Sequence, residues 1–482
     1  MAEEKNQLKN TLTYIKQTLV TTAIPFLALL IIARFVSPED FGQYALSQVY
    51  AIIVTFVFSL GLHVGYERNY FKYSNNHRAL CALHGTILLV VGSLFMLTIV
   101  VSFFYVDKLM SLVGVHSERL FMIVLLGQSL ERLSQFYFIY FRNMEDATSY
   151  TRYMVLVAAL NGGLSISLVL FMDMGITGVA LGYTLAWGII LLIMAAKLSQ
   201  QLRAQLDWSI FKEAAIISIP VTPSALTKVM GSQSDKYILG VLNTTGDVGI
   251  YSLANRIGTV INSYMIALQN AYTPVLYRAM FSKDERLSRE FSQQLTMITF
   301  LSILPAVVLS LFAKEITWLL LPESYQAVSS VLVIISIYYG INYFGKISGK
   351  QLTYAKKTGL TSFLSIVFSL INIVLNIPLI NEFGVLGAAL ATLLTGAMYT
   401  AVGFWIAQKY HWIKWEYSFV IGIIGFLLAS GLLSLGALSA NLSYGFDFSI
   451  RLAFLLAFIG YGIKLDVISL AKLAKIRIVI QD

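Results

Sequence analysis

Two short runs of this 482-residue chain set polar and ionisable side chains inside apolar segments. Gln128, Glu131, Arg132 and Gln135 form the first, and at helical spacing Gln128, Glu131 and Gln135 share one face. A carboxylate held among apolar residues has the chemistry of an ion carrier or a cavity wall, and Arg132 beside it can either neutralise it or bind an anion. The second run holds Asn255, Asn262 and Gln269 at heptad spacing, with Arg256 and Ser263 alongside. A guanidinium can fork onto a phosphate, while amides serve equally as links between helices. Lys228 and Asp235 add a cation and a carboxylate that read as phosphate ligand and ion carrier, or as two halves of an ion pair. Pro220 and Pro223 each remove a backbone donor and predict a kink, which suits a gate. Asn342, Lys346 and Lys350 share a helical face, as do Ser365, Ser369, Asn372 and Asn376. The second of these stripes reads first as packing.

Other chemistry is excluded. The five histidines are scattered without an H-x-x-x-H spacing, and Cys81 is the one cysteine, so neither a metal centre nor a disulfide framework is expected. The run Gly345–Lys350 lacks the G-x-x-x-x-G-K-[ST] pattern of a phosphate loop. No cofactor, no metal and no nucleotide hydrolysis are predicted.

The elements that must position these residues are membrane helices. Hydrophobic residues make up 57% of the chain and charged residues 12%, about half the charged share of soluble proteins. Apolar stretches long enough to cross a bilayer must close their own backbone hydrogen bonds as helices. The fold class is therefore an all-α polytopic membrane protein with about 14 transmembrane helices. The predicted spans are 12–35, 41–62, 81–106, 118–141, 150–172, 176–197, 213–242, 248–277, 291–313, 325–349, 358–381, 385–408, 413–437 and 448–468. If the N-terminus is inside, lysines and arginines favour the inner loops about four to one, which predicts both termini in the cytoplasm. The net charge of +9 is then mostly topology, with contacts to membrane lipids, and implies no nucleic-acid partner.

The chain also repeats itself. Asp40-Phe41-Gly42-Gln43-Tyr44-Ala45-Leu46 returns as Asp247-Val248-Gly249-Ile250-Tyr251-Ser252-Leu253, an offset of 249 − 42 = 207. Gly175-Ile176-Thr177-Gly178-Val179-Ala180-Leu181 returns as Gly384-Val385-Leu386-Gly387-Ala388-Ala389-Leu390, an offset of 384 − 175 = 209. The repeat spans six helices, an even number, so both copies have the same orientation, as in parallel repeats related by an axis along the membrane normal. The predicted organisation is an N-lobe (1–197, helices 1–6), a cytoplasmic linker (198–212), a C-lobe (213–408, helices 7–12), and helices 13–14 with a cytoplasmic tail (409–482).

The run Arg34-Phe35-Val36-Ser37-Pro38-Glu39-Asp40-Phe41-Gly42-Gln43-Tyr44-Ala45 resembles the N-terminal hallmark of the polysaccharide transporters. Asp235-Lys236-Tyr237-Ile238-Leu239-Gly240, followed by Gly249-Ile250-Tyr251, resembles the hallmark opening that family's second lobe. The chain thus resembles the Wzx-like oligosaccharide flippases, of the superfamily that includes MurJ and the multidrug and toxic compound extrusion proteins. The resemblance implies movement of an undecaprenyl-diphosphate-linked oligosaccharide from the cytoplasmic to the periplasmic leaflet of a bacterial inner membrane, by alternating access. It further implies a role in surface polysaccharide biosynthesis, alongside a polymerase and chain-length machinery. MurJ-like members place basic residues on helices 1, 2 and 8 around the diphosphate. Arg256 fits the helix 8 position, the predicted second span has no basic residue, and Lys16 stands on the first. The candidate cavity set is Arg256, Lys228, Arg132, Asn255, Asn262 and Gln128, with Glu131 and Asp235 as ion-coupling candidates. A drug or small-cation exporter of the same architecture is the main alternative, although its cavity would favour carboxylates. A membrane glycan polymerase or ligase would need a large outer loop, and the predicted outer loops are short.

Overall fold

A computed structural model of the chain describes residues 20–199, 206–281, 285–439 and 443–464. Among these residues the regular structure is helical throughout. The first unit holds α1 (Val20–Ile32), α2 (Pro38–Phe58), α3 (Leu62–Tyr73), α4 (His77–Phe104), α5 (Val106–Val113) and α6 (Glu118–Asn143). It continues with α7 (Ala147–Leu170), α8 (Gly175–Leu198), α9 (Trp208–Ser218) and α10 (Thr222–Leu242), and ends inside α11 (Thr245–Phe281). The second unit contains the rest of α11, then α12 (Glu285–Leu311), α13 (Ala313–Leu320), α14 (Val328–Tyr354), α15 (Thr358–Phe383), α16 (Val385–Tyr410), α17 (Tyr417–Ser439) and α18 (Tyr444–Lys464). The compact units are residues 1–252 and 253–482.

Ten of these helices are long and apolar enough to cross a membrane, or up to twelve when two bent pairs each count as one span. The expectation of about fourteen exceeds that number through two helices. Of the predicted span 12–35, residues 12–19 lie outside the described residues, leaving the short α1. The other, α11, is long but carries too many polar residues to qualify. The predicted tail and the middle of the predicted linker (200–205) also lie outside the described residues.

Three segments read as loops are helical. The second span was expected to run through Leu62, but α2 ends at Phe58 and the chain turns through Leu60 (φ 50°) and Gly61 (φ 60°) before restarting as α3. In α3, Leu62, Gly65, Tyr66, Asn69 and Tyr70 are buried at helical spacing. Such an amphipathic pattern carries too little mean hydropathy to register as a span. The short helices α5 and α13 also occupy predicted loops, and they begin 313 − 106 = 207 residues apart. The structural elements thus repeat at the interval of the sequence motifs: α2 and α11 start 245 − 38 = 207 apart, and α8 and α16 start 385 − 175 = 210 apart.

Local sequence explains several starts. The Oγ of Ser37 accepts a hydrogen bond from the Asp40 amide at 3.1 Å, with Pro38 in the first turn of α2, so the Ser-Pro-Glu-Asp run is a helix cap. Asn76, Ser117 and Asp146 cap α4, α6 and α7 in the same way. Asp207 caps α9, and hydrogen bonds from the Ser209 hydroxyl and then from the Ile210 and Ser209 amides hold its carboxyl below the usual range.

In the first unit α6 packs between α2 and α8, and α3 packs on α9. An aromatic core lies beneath α3, where Tyr66 and His84 Nδ1 share a 2.8 Å hydrogen bond and Phe136, Tyr137 and Tyr140 surround them. The two repeat motifs cross at the other end of α2, where its first turns meet the start of α11. A Cβ on Gly42 would lie 1.7 Å from the Thr245 carbonyl oxygen, and one on Gly249 would lie 1.9 Å from the Pro38 carbonyl oxygen. Only glycine permits that approach of two backbones. In the second unit α14 is the central helix, packed by α12, α16 and α17.

Candidate functional site

The polar run on α6 is tied together by a residue that the sequence reading missed. Gln128 Nε2 donates to the Tyr183 hydroxyl at 2.9 Å, and Tyr183 in turn donates to Glu131. Tyr183 stands on α8, and it fits because Gly127 has no side chain: a Cβ there would lie 2.8 Å from the Tyr183 ring. The signal was therefore a glycine inside a polar helix opposite a tyrosine, recognisable only once α6 and α8 are known to touch. Gln135, expected on the same face, instead accepts from Arg132 Nη1 at 3.4 Å.

Glu131 and Arg132 do not neutralise each other among the described residues. Glu131 turns to Tyr183 on α8, whereas the Arg132 guanidinium lies 5.9 Å from the centre of the Phe56 ring on α2. Its Nε is buried and has no hydrogen-bond partner among the described residues. His63, on α3, is held below its usual pKa first by burial and then by the Arg132 charge. Burial and the Arg132 charge thus both disfavour a second cation at His63.

Asp235 is buried on α10 and accepts a 2.7 Å hydrogen bond from the hydroxyl of Tyr251. Both residues belong to the hallmark runs of the second repeat, so those runs meet through this bond. Lys228 is exposed and forms no ion pair among the described residues, so the Lys228–Asp235 pair considered from the sequence does not form.

Pro220 and Pro223 stand at a break between α9 and α10. A 3-10 turn over Ile219–Val221 separates the two helices, which are bent by 52° across it. The break lies against the turn between α2 and α3. Gly65 N–H donates to Ser218 Oγ at 2.9 Å, and a Cβ on Gly61 would meet Thr222 Oγ1 at 2.6 Å. Beyond it, Glu213 accepts from Arg68 at 3.1 Å, Lys72 at 2.6 Å and the Tyr73 hydroxyl at 2.6 Å. The breaks thus share one interface within the first unit.

In the second unit, Asn255 accepts from the Tyr339 hydroxyl at 3.1 Å and Asn262 from Lys346 Nζ at 2.5 Å. The amides of α11 are therefore a seam with α14, the helix-linking use of such residues. Arg256 is half-buried on the same helix. On the other stripe, Asn376 Nδ2 donates to Asn372 Oδ1 at 3.0 Å within α15. Among the described residues, no group of three or more His, Cys, Asp or Glu side chains is placed to hold a metal ion.

Comparison with known proteins agrees with this architecture. Residues 7–280 match the family model described as "Polysaccharide biosynthesis protein", and residues 220–377 match the MatE model. The chain is 27% identical over 266 residues to a Haloferax volcanii protein named "Probable low-salt glycan biosynthesis flippase Agl15", covering 53% of this chain and 52% of that one. It spans about half the length of that curated relative. Its fold is similar to that of "Lipid II flippase MurJ, inward closed conformation", with a TM-score of 0.69 at 14% identity over 94% of this chain and 97% of that one. It is also similar to an inward-facing multidrug resistance MATE family transporter of the MOP superfamily, with a TM-score of 0.60 at 17% identity over 81% of this chain and 97% of that one. A match over more than half of the sequence, joined to an all-helical membrane fold, makes this chain a member of the polysaccharide biosynthesis protein family.

Proposed function

We propose that this multi-pass membrane protein is a flippase. It carries a polyprenyl-diphosphate-linked oligosaccharide from the cytoplasmic to the outer leaflet of the cell membrane, by alternating access, for surface polysaccharide assembly. Its two lobes are the helices of residues 12–197 and 213–408, and both termini face the cytoplasm. The break at Pro220 and Pro223 serves as the gate, and a polysaccharide polymerase with its chain-length machinery takes up the product.

The observation that carries this reading is the charge left available inside the spans. Tyrosine hydroxyls engage Glu131 and Asp235, whereas Lys228 is exposed and the Arg132 Nε has no partner among the described residues. These cations suit a diphosphate, and so does Arg256, the basic residue that the family resemblance puts at the helix 8 position, while an exporter of small cations would want free carboxylates. Arg256→Ala should abolish glycan export while the protein still reaches the membrane, measured by complementation and by proteoliposome transport of a fluorescent lipid-linked glycan. Arg256→Lys should restore only part, because an ammonium lacks the bidentate fork. Full transport by the alanine variant sinks the assignment.

Glu131 is the ion carrier in this reading, with Tyr183 as the group that positions it. Glu131→Gln should keep substrate binding yet lose the dependence of transport on a pH gradient. Tyr183→Phe should weaken that dependence, since Glu131 loses its donor. A Gln variant with unchanged gradient dependence would leave Glu131 as a packing residue.

A further inference from the structure

A cavity of about 580 Å³ in the second unit is lined by none of the residues assigned above. Its walls are α13, the turn that precedes α14, the first turn of α14 and the start of α18, through Lys314, Glu315, Trp318, Gln326, Ser330 and Tyr444. The charge bias of the loops assigns this end of the helices to the outside. Its volume falls within the range of small-ligand sites.

The cavity is rigidly framed. Arg451, only 2% exposed, binds both oxygens of Glu315 at 2.8 and 2.6 Å, Asp447 at 2.6 Å and the Leu311 carbonyl at 2.8 Å. This lock joins α13 to α18. At the mouth, Trp318 is 74% exposed and Tyr444 57% exposed. The side-chain polar groups of Lys314, Gln326, Ser330 and Tyr444 make no hydrogen bond among the described residues. Two aromatic surfaces with unpaired hydroxyl, amide and ammonium groups beside them match a sugar ring, which offers apolar C–H faces and a rim of hydroxyls.

Charge argues against an anionic lipid headgroup. The two cations Lys314 and Arg451 balance the two carboxylates Glu315 and Asp447, and Glu315 itself lines the cavity. A phosphate would meet a carboxylate wall, whereas an uncharged sugar meets no net field. The repeat supplies a second argument. In the first half, α5 has Lys108 at the place of Glu315 and Ser111 at the place of Trp318 (315 − 108 = 318 − 111 = 207). Tyr444 and Arg451 belong to α18, beyond both repeats. The cavity is therefore a departure from the repeat, built with a helix for which the repeat itself has no use.

We propose that this cavity is a saccharide-binding site on the outer side of the protein, which takes one or two rings of the glycan delivered there. The proposal rests on the flippase reading for the source of the sugar. The test is saturation-transfer NMR on the purified full chain in nanodiscs, with free hexose and N-acetylhexosamine disaccharides as probes. Ring-proton transfer should be seen with the unaltered protein, and should weaken by about tenfold or more in Trp318→Ala and in Tyr444→Ala. Trp318→Phe should retain part of it, and Arg256→Ala should retain all of it. Saccharide binding that survives in Arg256→Ala supports the cavity whatever that variant does to transport, so the two readings fail separately. The proposal is overturned if no disaccharide gives transfer, if both alanine variants bind undiminished, or if only short-chain phosphatidylglycerol binds.

Discussion

Gly42→Ala and Gly249→Ala should each sharply lower the thermal stability of the purified protein. A Cβ at Gly42 would sit 1.7 Å from a carbonyl oxygen, and one at Gly249 would sit 1.9 Å from another. The obstacle at both positions is backbone, which cannot rotate away as a flexible side chain can, so the helices must part. Overpacking of this kind costs about 3 kcal/mol, the upper end of the usual range. Because both glycines serve one crossing, the double variant should lose less than the sum of the two single losses. Gly163→Ala and Gly349→Ala are the controls: each stands within a helix with nothing within 4 Å of the added carbon, so alanine should be neutral or mildly stabilising there. Thermal melting in detergent reads all five variants. A Gly42→Ala protein that melts with the unaltered chain would show that the two backbones do not approach this closely.

Arg451→Met should lower stability to a similar or greater degree, for an electrostatic reason. Removing the guanidinium strands two carboxylates, Glu315 at 16% and Asp447 at 6% side-chain exposure, without their shared cation. Breaking a buried ion pair by removing one partner costs about 3–5 kcal/mol, whereas replacing all the charges together is often neutral. The triple variant Arg451→Met, Glu315→Gln, Asp447→Leu should therefore recover most of the loss, and urea or thermal unfolding in detergent measures both. A single Met variant as stable as the parent would mean that water reaches the carboxylates and that the lock adds nothing to the fold.

The membrane class, the order of the helices and the repeat were legible in the sequence because each depends on local composition. A span is set by its own run of apolar residues, and a repeat survives as spaced motifs such as Asp40–Leu46 and Asp247–Leu253. The kink at Pro220 and Pro223 was legible for the same reason, since a missing donor acts on its own helix. What the polar residues do was not legible, because partner choice is a property of neighbouring helices. Asn255 and Asn262 could have lined a cavity or linked helices, and only the approach of α14 makes them partners of Tyr339 and Lys346. Glu131 could have paired with Arg132, its neighbour in sequence. Successive side chains on a helix diverge, and Tyr183, 52 residues further along the chain, takes the carboxylate instead. Nothing adjacent in sequence marks Arg451 as structural, yet the folded chain buries it between two acids from different helices. The glycines of the D-x-G-x-Y motifs identify the repeat, but the sequence contains nothing about the crossing that makes them necessary. Short-range chemistry fixes where helices begin, break and cross the membrane, while contacts between residues distant in the chain decide which charges remain free to act.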